Sequence, residues 1–127
     1  MPHVIIDYSG NLETDINISE LCEKLREVAV SLEAFPMAGV KVRAVRVDHF
    51  AIADGDRKHG YIDISVRLRA GRPLEVKKHA VQALFEAAQT FLKPIIETRS
   101  IALSMEMRDI DPELSPKTGN IRQYLES

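Results

Sequence analysis

The second residue of the sequence is the one whose chemistry stands out. Pro2 directly follows Met1, and removal of Met1 would turn the amide nitrogen of Pro2 into a terminal secondary amine. An α-amino group has a pKa of about 7.7–8.0 in water, and burial or a nearby cation lowers that pKa because both disfavour the charged form. One cation about 6 Å away, at an effective dielectric constant of about 20, contributes about 2.8 kcal/mol, or roughly two pKa units. A neutral Pro2 amine would therefore be available as a general base near pH 7.

The alternative interpretation of Pro2 is structural. Proline donates no hydrogen bond to a β-ladder and is tolerated at the first residue of a strand. The residues that follow Pro2 include several β-branched ones and predict such a strand. From the residues alone, this structural interpretation is the favoured one.

A set of basic residues is the second candidate feature: Lys41, Arg43, Arg67, Arg69 and Arg72. Arg72 lies in a Gly-Arg-Pro turn at the predicted start of a helix, where free backbone N–H groups already favour anions. A guanidinium beside those groups would hold a carboxylate in a bidentate manner. For Arg67 and Arg69, a solvated or ion-paired position on a strand is the favoured interpretation.

Other kinds of functional site find little support in the sequence. The histidines at positions 3, 49, 59 and 79 show no His-x-x-x-His or clustered Cys/His spacing, so no metal site is predicted. The glycines are scattered and form no phosphate-binding loop. The net charge is −2 and no basic stripe is present, which argues against a nucleic-acid or anionic-membrane partner.

The length and composition are typical of a soluble protein with one domain, which we expect over residues 1–127. Cys22 is the only cysteine, so no internal disulfide can form and a reducing compartment is favoured. Its place on a helical apolar pattern predicts a buried packing role. The first residues lack a signal-peptide pattern and no apolar run approaches the roughly 18 residues of a membrane span, so we expect a cytoplasmic protein.

The first half of the chain, about residues 2–49, predicts a β-α-β unit. Residues 3–8 are short, largely β-branched and followed by turn formers, which favours a strand. Ser19 is the predicted N-cap of a helix with apolar residues every three to four positions, and this helix should end before Pro36. Residues 40–48 predict the second strand.

The second half, about residues 60–108, predicts another β-α-β unit without sequence identity to the first. Residues 61–69 alternate apolar and polar side chains, as a strand with one buried face does. Pro73 is predicted at the first position of a second helix, which Pro94 should end or kink. Residues 99–107 predict the fourth strand.

These elements predict an α+β fold in which two β-α-β units form a four-stranded sheet with both helices on one face. Right-handed crossovers make the strands within each unit parallel. A short helix is expected near residues 121–125. Because two helices cover only one face of such a sheet, self-association through the other face is a natural expectation.

Several segments together resemble the 5-carboxymethyl-2-hydroxymuconate isomerases of the tautomerase superfamily. They are Met-Pro-His at the start, Asp-Tyr-Ser-Gly-Asn-Leu (7–12), Phe-Pro-Met-Ala-Gly-Val-Lys-Val-Arg-Ala (35–44), Ala-Asp-Gly (53–55), Ala-Gly-Arg-Pro-Leu-Glu (70–75) and Thr-Arg-Ser-Ile-Ala-Leu-Ser (98–104). The resemblance extends over essentially the whole chain, including Asp-Pro-Glu-Leu (111–114).

This resemblance implies a homotrimer that isomerises an unsaturated 2-hydroxy or 2-oxo di- or tricarboxylate from homoprotocatechuate catabolism without a cofactor. Pro2 would transfer the proton, which requires that Met1 be removed, and Arg72 would bind the substrate. The family's other expected arginine falls on Lys41, which keeps the charge but loses the bidentate fork. Either Lys41 binds the substrate less selectively, Arg43 replaces it, or the substrate differs.

Two alternatives remain open from the sequence. One is a different activity of the tautomerase superfamily, such as a phenylpyruvate-type tautomerase or a decarboxylase that uses the same proline. The other is a trimeric interaction protein that keeps the fold without catalysis.

Overall fold

The computed structural model describes residues 1–125, which form a four-stranded mixed sheet with two helices. The elements are β1 (His3–Ser9), α1 (Ile18–Val30), β2 (Lys41–Val47), β3 (Gly60–Arg69), α2 (Leu74–Ile96) and β4 (Ile101–Ile110). The strand order is β2-β1-β3-β4. Strand β1 is parallel to β2, β3 is parallel to β4, and the central pair β1–β3 is antiparallel. The predicted pair of β-α-β units is therefore confirmed.

One face of the sheet packs on both helices and forms the hydrophobic core. The alternation predicted for β3 places Ile62, Ile64, Val66 and Leu68 on this face, each at most 1% exposed. The helices contribute Leu21, Leu25, Ala29, Ala80, Leu84, Ala88 and Leu92. Each fully buried aliphatic side chain of this size contributes about 1.5–3 kcal/mol of transfer free energy. The core thus fixes which face of every strand points away from the helices.

The opposite face, which we call the open face, is mixed and charged. Position Ile5 of β1 pairs with Arg43 of β2 on one side and with Ser65 of β3 on the other. The next pairs along this face are His3 with Lys41 and His3 with Arg67. The apolar side chains of β3 therefore pack against the helices. In the described part of the chain, the open face is charged and no helix covers it.

The N-cap of α1 is Asn17, so the predicted cap at Ser19 is wrong. The side chain of Asn17 accepts a hydrogen bond from the backbone N–H of Glu20 at 3.1 Å. Ser19 lies inside the first turn and is exposed. Both residue types can cap a helix, and the apolar pattern alone leaves the start uncertain by one turn.

Replacing Asn17 with alanine is expected to lower the free energy of unfolding by about 1 kcal/mol, because a backbone donor at the helix start loses its acceptor. Ser19→Ala is the matched control and should change stability by a few tenths of a kcal/mol, in either direction, at about the scale of helix propensity. Urea denaturation of the two variants measures both values. Equal losses in the two variants would contradict the assignment of the cap.

Helix α2 begins one residue later and ends later than the sequence predicts. Pro73 has a ψ of 149° and precedes the helix, while its carbonyl accepts the N–H of Lys77. Pro94 lies inside the last turns and the helix continues to Ile96. Since proline removes only the one hydrogen bond to residue i−4, two further residues can still complete the helix end.

Strand β4 begins at Ile101, two residues later than predicted. The backbone N–H groups of Thr98 and Arg99 donate to the carbonyl of Ile95, so these residues extend the end of α2. The side chain of Arg99 contacts Asp15 at 2.5 Å. Neither these backbone hydrogen bonds nor this ion pair between distant residues can be predicted from the alternation of apolar residues along a strand.

Three smaller expectations have clear outcomes. Cys22 is half-buried and packs against the core, as expected for a structural cysteine. The short helix predicted near residues 121–125 is a 3-10 turn at Ile121–Tyr124. Within the described residues, neither helix combines the length and the apolar character needed to cross a membrane.

Candidate active site

Pro2 lies at the start of β1, fully buried, in the wall of a small cavity. The cavity has a volume of about 210 Å³. Its wall also contains Leu68 and three basic side chains, those of Arg69, Arg72 and Lys117. The structure therefore brings two sequence-predicted site residues, Pro2 and Arg72, to one cavity.

The topology explains why these distant residues meet. Because β1 and β3 are antiparallel, the start of β1 lies beside the end of β3, and His3 pairs with Arg67. The chain then turns at Gly71, whose φ of +115° lies in the left-handed region that glycine adopts without strain. This turn directs Arg72 back toward the cavity, and its Nη1 donates to the carbonyl of Arg69 at 3.1 Å.

Lys41 lies on the other side of Met1, in the wall of a second cavity of about 770 Å³. Its Nζ donates to the carbonyl of Gly39 at 3.3 Å. Its backbone N–H donates to the carbonyl of Pro2, so the start of β2 is held against the start of β1. Lys41 is thus a near neighbour of the N-terminal residues without lining the small cavity.

Arg43 occupies a different place. Its guanidinium lies 3.1 Å from Nδ1 of His3 on the open face. Burial, followed by the positive charges of Arg43 and Arg67, lowers the pKa of His3. The structure therefore places Arg43 beside His3 on the open face, and Arg43 is not among the residues that line either cavity.

Met1 lies between the two cavities and lines both of them. A Cβ added to Gly39 would lie 2.0 Å from the Met1 carbonyl oxygen, so glycine is required there for the backbone of Met1 to fit. Burial, followed by the charges of Lys41 and Lys117, lowers the pKa of the Met1 amine. With Met1 in place, the nitrogen of Pro2 is an amide and has no basic lone pair.

Of the basic residues at the small cavity, the sequence analysis did not identify Lys117, and it favoured a solvated position for Arg69. Arg69 is exposed at the end of β3 and was interpreted as a solvated strand residue. Its position three residues before Arg72 was the available signal, since a tight turn brings such positions together. Lys117 follows Ser-Pro in an irregular tail, where no periodicity indicates a position.

A separate polar cluster lies at the opposite end of β3. The His59 ring lies 2.6 Å from the Ser100 hydroxyl and 2.8 Å from the Asp54 carboxylate. Since β3 spans ten residues, this cluster is about 30 Å from the Arg69 end. Its contacts anchor the loop between β2 and β3 to the start of β4.

Comparisons with known proteins identify relatives of this chain. A family model described as 5-carboxymethyl-2-hydroxymuconate isomerase matches residues 2–125. The 5-carboxymethyl-2-hydroxymuconate Delta-isomerase of Escherichia coli is 31% identical over 121 residues, which cover 95% of this chain and 96% of that protein.

Solved structures show the same fold. A 5-carboxymethyl-2-hydroxymuconate isomerase from Deinococcus radiodurans R1 is 30% identical and has a TM-score of 0.90, over 98% of this chain and 95% of that one. A fused 4-OT protein described as a symmetric trimer shares the fold at a TM-score of 0.63 and 19% identity, over 86% and 85% of the two chains. Because the family model spans nearly the whole chain and the E. coli enzyme matches over nearly its full length, the chain is an isomerase that belongs to the 5-carboxymethyl-2-hydroxymuconate isomerase family.

Proposed function

We propose that this protein is a cofactor-independent isomerase that moves a proton between atoms of an unsaturated 2-hydroxy carboxylate of the 5-carboxymethyl-2-hydroxymuconate type. The general base is the amine of Pro2, set free by removal of Met1. The observation that carries the proposal is the position of Pro2, buried in the wall of a cavity that also contains Arg69, Arg72 and Lys117. A buried amine among cations favours its neutral, basic form.

The proposed reaction needs only a proton relay. The neutral amine of Pro2 takes the proton of the 2-hydroxyl group, and negative charge develops on the 2-oxygen of the resulting dienolate. A guanidinium beside that oxygen stabilises the developing negative charge. The proton then returns to the distal carbon of the conjugated system, which produces the 2-oxo isomer. No electrons leave the substrate, so the atoms balance without an oxidant or reductant.

The pKa of the Met1 amine indicates how the site would act on the Pro2 amine. Burial and then the charges of Lys41 and Lys117 already lower the pKa at the residue before it. Pro2 itself is more deeply buried than Met1. The same physical causes would lower the pKa of the Pro2 amine and so favour its neutral form.

Arg72 and Lys41 are the proposed carboxylate-binding residues. Arg72 is half-buried and offers a planar fork of N–H donors to a carboxylate in the small cavity. Lys41 contributes a point charge on the far side of Met1. Arg43 is the alternative second cation, and it would reach a substrate from the open face.

The proposed assembly is a homotrimer. The open face carries charged and polar side chains at regular strand positions, as the lining of an aqueous channel would. The fused 4-OT protein with this fold is a symmetric trimer, which supports the proposal. Sedimentation of the purified protein measures the assembly directly.

The test of the function is a turnover assay on protein of known N-terminus. Intact mass spectrometry first identifies preparations that lack Met1. These are mixed with 5-carboxymethyl-2-hydroxymuconate, and loss of the ultraviolet absorption of the dienol is followed against a protein-free sample. Folded, Met1-free protein that does not accelerate the loss would overturn the proposal, and the enol of phenylpyruvate tests the other tautomerase activity in parallel.

A further inference from the structure

The segment after β4, which we call the C-terminal segment (residues 111–125), returns to the Pro2 end of the sheet. The backbone N–H of Ala70 donates to the carbonyl of Ile110, so β4 ends beside the turn that carries Arg72. Within the segment, the Ser115 hydroxyl donates to the Asp111 carbonyl at 2.5 Å, which folds the chain back on itself. Residues that follow this bend can therefore reach the site.

Lys117 is the residue of this segment that lines both cavities beside Met1. On one side it shares a wall with Arg69 and Arg72. On the other side it shares a wall with Lys41 and Arg122. The charge of Lys117 also contributes to the lowered pKa of the Met1 amine, after burial and Lys41, which places its ammonium group near the N-terminus.

The charge in this region is unbalanced. Within the described part of the chain, the residues that line the two cavities include five lysine or arginine side chains, one histidine and no aspartate or glutamate. Like charges this close repel one another unless an anion binds between them. The two cavities together therefore have the electrostatics of a site for a molecule with several negative charges.

Met1 is one of three residues that line both cavities, together with Pro36 and Lys117. It lines both, and its backbone occupies the space over Gly39. Removal of Met1, which the proposed function already requires, would take away part of the wall between the cavities and open them toward each other. The amine of Pro2 would then lie at the junction, with Arg72 toward one end and Lys41 toward the other.

We propose that Lys117 is a substrate-binding residue that holds a second carboxylate of the substrate, away from the carboxylate bound by Arg72. The inference rests on the proposed function and adds a residue of the C-terminal segment to the carboxylate-binding groups of the site. Lys117 binds through its charge and adds to the cations that keep the Pro2 amine neutral. The C-terminal segment is thus part of the active site.

The kinetic test compares Lys117→Ala and Lys117→Arg with Lys24→Ala, an exposed lysine of α1 that serves as the matched control. Lys117→Ala should raise KM for 5-carboxymethyl-2-hydroxymuconate about tenfold, because a charge-assisted hydrogen bond to a carboxylate is lost. It should leave KM for the monocarboxylate enol of phenylpyruvate unchanged. Lys117→Arg should restore most of the affinity.

A pH profile separates this role from a purely structural one. Loss of the Lys117 charge favours the protonated Pro2 amine, so the acid limb of kcat/KM should move to higher pH in Lys117→Ala and stay in place in Lys117→Arg. An unchanged KM for the dienol together with an unmoved acid limb would overturn the proposal.

A binding test that needs no turnover distinguishes failure of this inference from failure of the proposed function. Adipate has two carboxylates at the ends of a six-carbon chain, hexanoate has one, and neither can isomerise. Calorimetry on Met1-free protein should show adipate binding weakened about tenfold by Lys117→Ala and hexanoate binding unchanged. Equal adipate affinities in wild type and Lys117→Ala would overturn the role of Lys117 even in an active isomerase. A Lys117-dependent preference for adipate in an inactive protein would support the binding site and reject the proposed reaction.

Discussion

Pro2→Ala is expected to lower kcat of the isomerisation by about 10²–10⁴-fold, the range attributed to a positioned general base. Removal of Met1 from this variant leaves a primary amine that no ring holds in place, so the base is both more mobile and differently oriented. Steady-state kinetics on preparations of verified mass measure the effect. Pro94→Ala, at an exposed position in α2, is the matched control and should keep wild-type kcat.

A second test of the base uses protein that keeps Met1, which leaves Met1 in the wall of both cavities and every other side chain of the site unchanged. A protein that keeps Met1 has an amide in place of the Pro2 amine, so it has no basic nitrogen at this position. We expect such protein to be folded, since Met1 fits over Gly39, and to be inactive. Activity equal to that of the processed protein would show that another group accepts the proton.

Arg72→Ala is expected to lower kcat/KM by about 10²–10³-fold, the typical cost of removing one donor from a charge-stabilising site. Arg72 combines a half-buried guanidinium with a backbone anchor, the carbonyl of Arg69 at 3.1 Å, so its fork is oriented before the substrate binds. Arg72→Lys keeps the charge and loses the planar fork, so it should fall between wild type and Arg72→Ala. Measurements with the dienol substrate compare all three proteins.

The stability of the Arg72 variants gives the control for this prediction. Arg72 lies among other cations, so its removal relieves repulsion and should leave the free energy of unfolding unchanged or slightly higher. Arg26→Ala removes an arginine of similar length from an exposed pair with Glu23 and should leave activity at the wild-type level. A large loss of stability in Arg72→Ala, with activity lost in proportion, would contradict a role in substrate binding.

Much of the fold was predictable because its signals are local. The alternation of Ile62, Ile64, Val66 and Leu68 indicated a strand with one buried face, and these side chains do form the core. The errors lie at element ends, as at Ser19, where Asn17 makes the cap. The residue at which a helix or strand begins or ends depends on single hydrogen bonds, and the spacing of apolar residues does not reveal those bonds.

The sequence by itself indicated Pro2 and Arg72 as candidates, because a proline behind Met1 and an arginine in a glycine turn are recognisable from residue type and local context. It also indicated the order of strands and helices along the chain, because the spacing of apolar residues identifies each element from consecutive residues. The tertiary structure decided that these residues share a cavity, and added Arg69 and Lys117 to it. The physical reason is that the antiparallel pairing of β1 with β3 and the return of the C-terminal segment join positions far apart in the chain. The cluster of positive charges around the Pro2 amine therefore exists only in the folded chain.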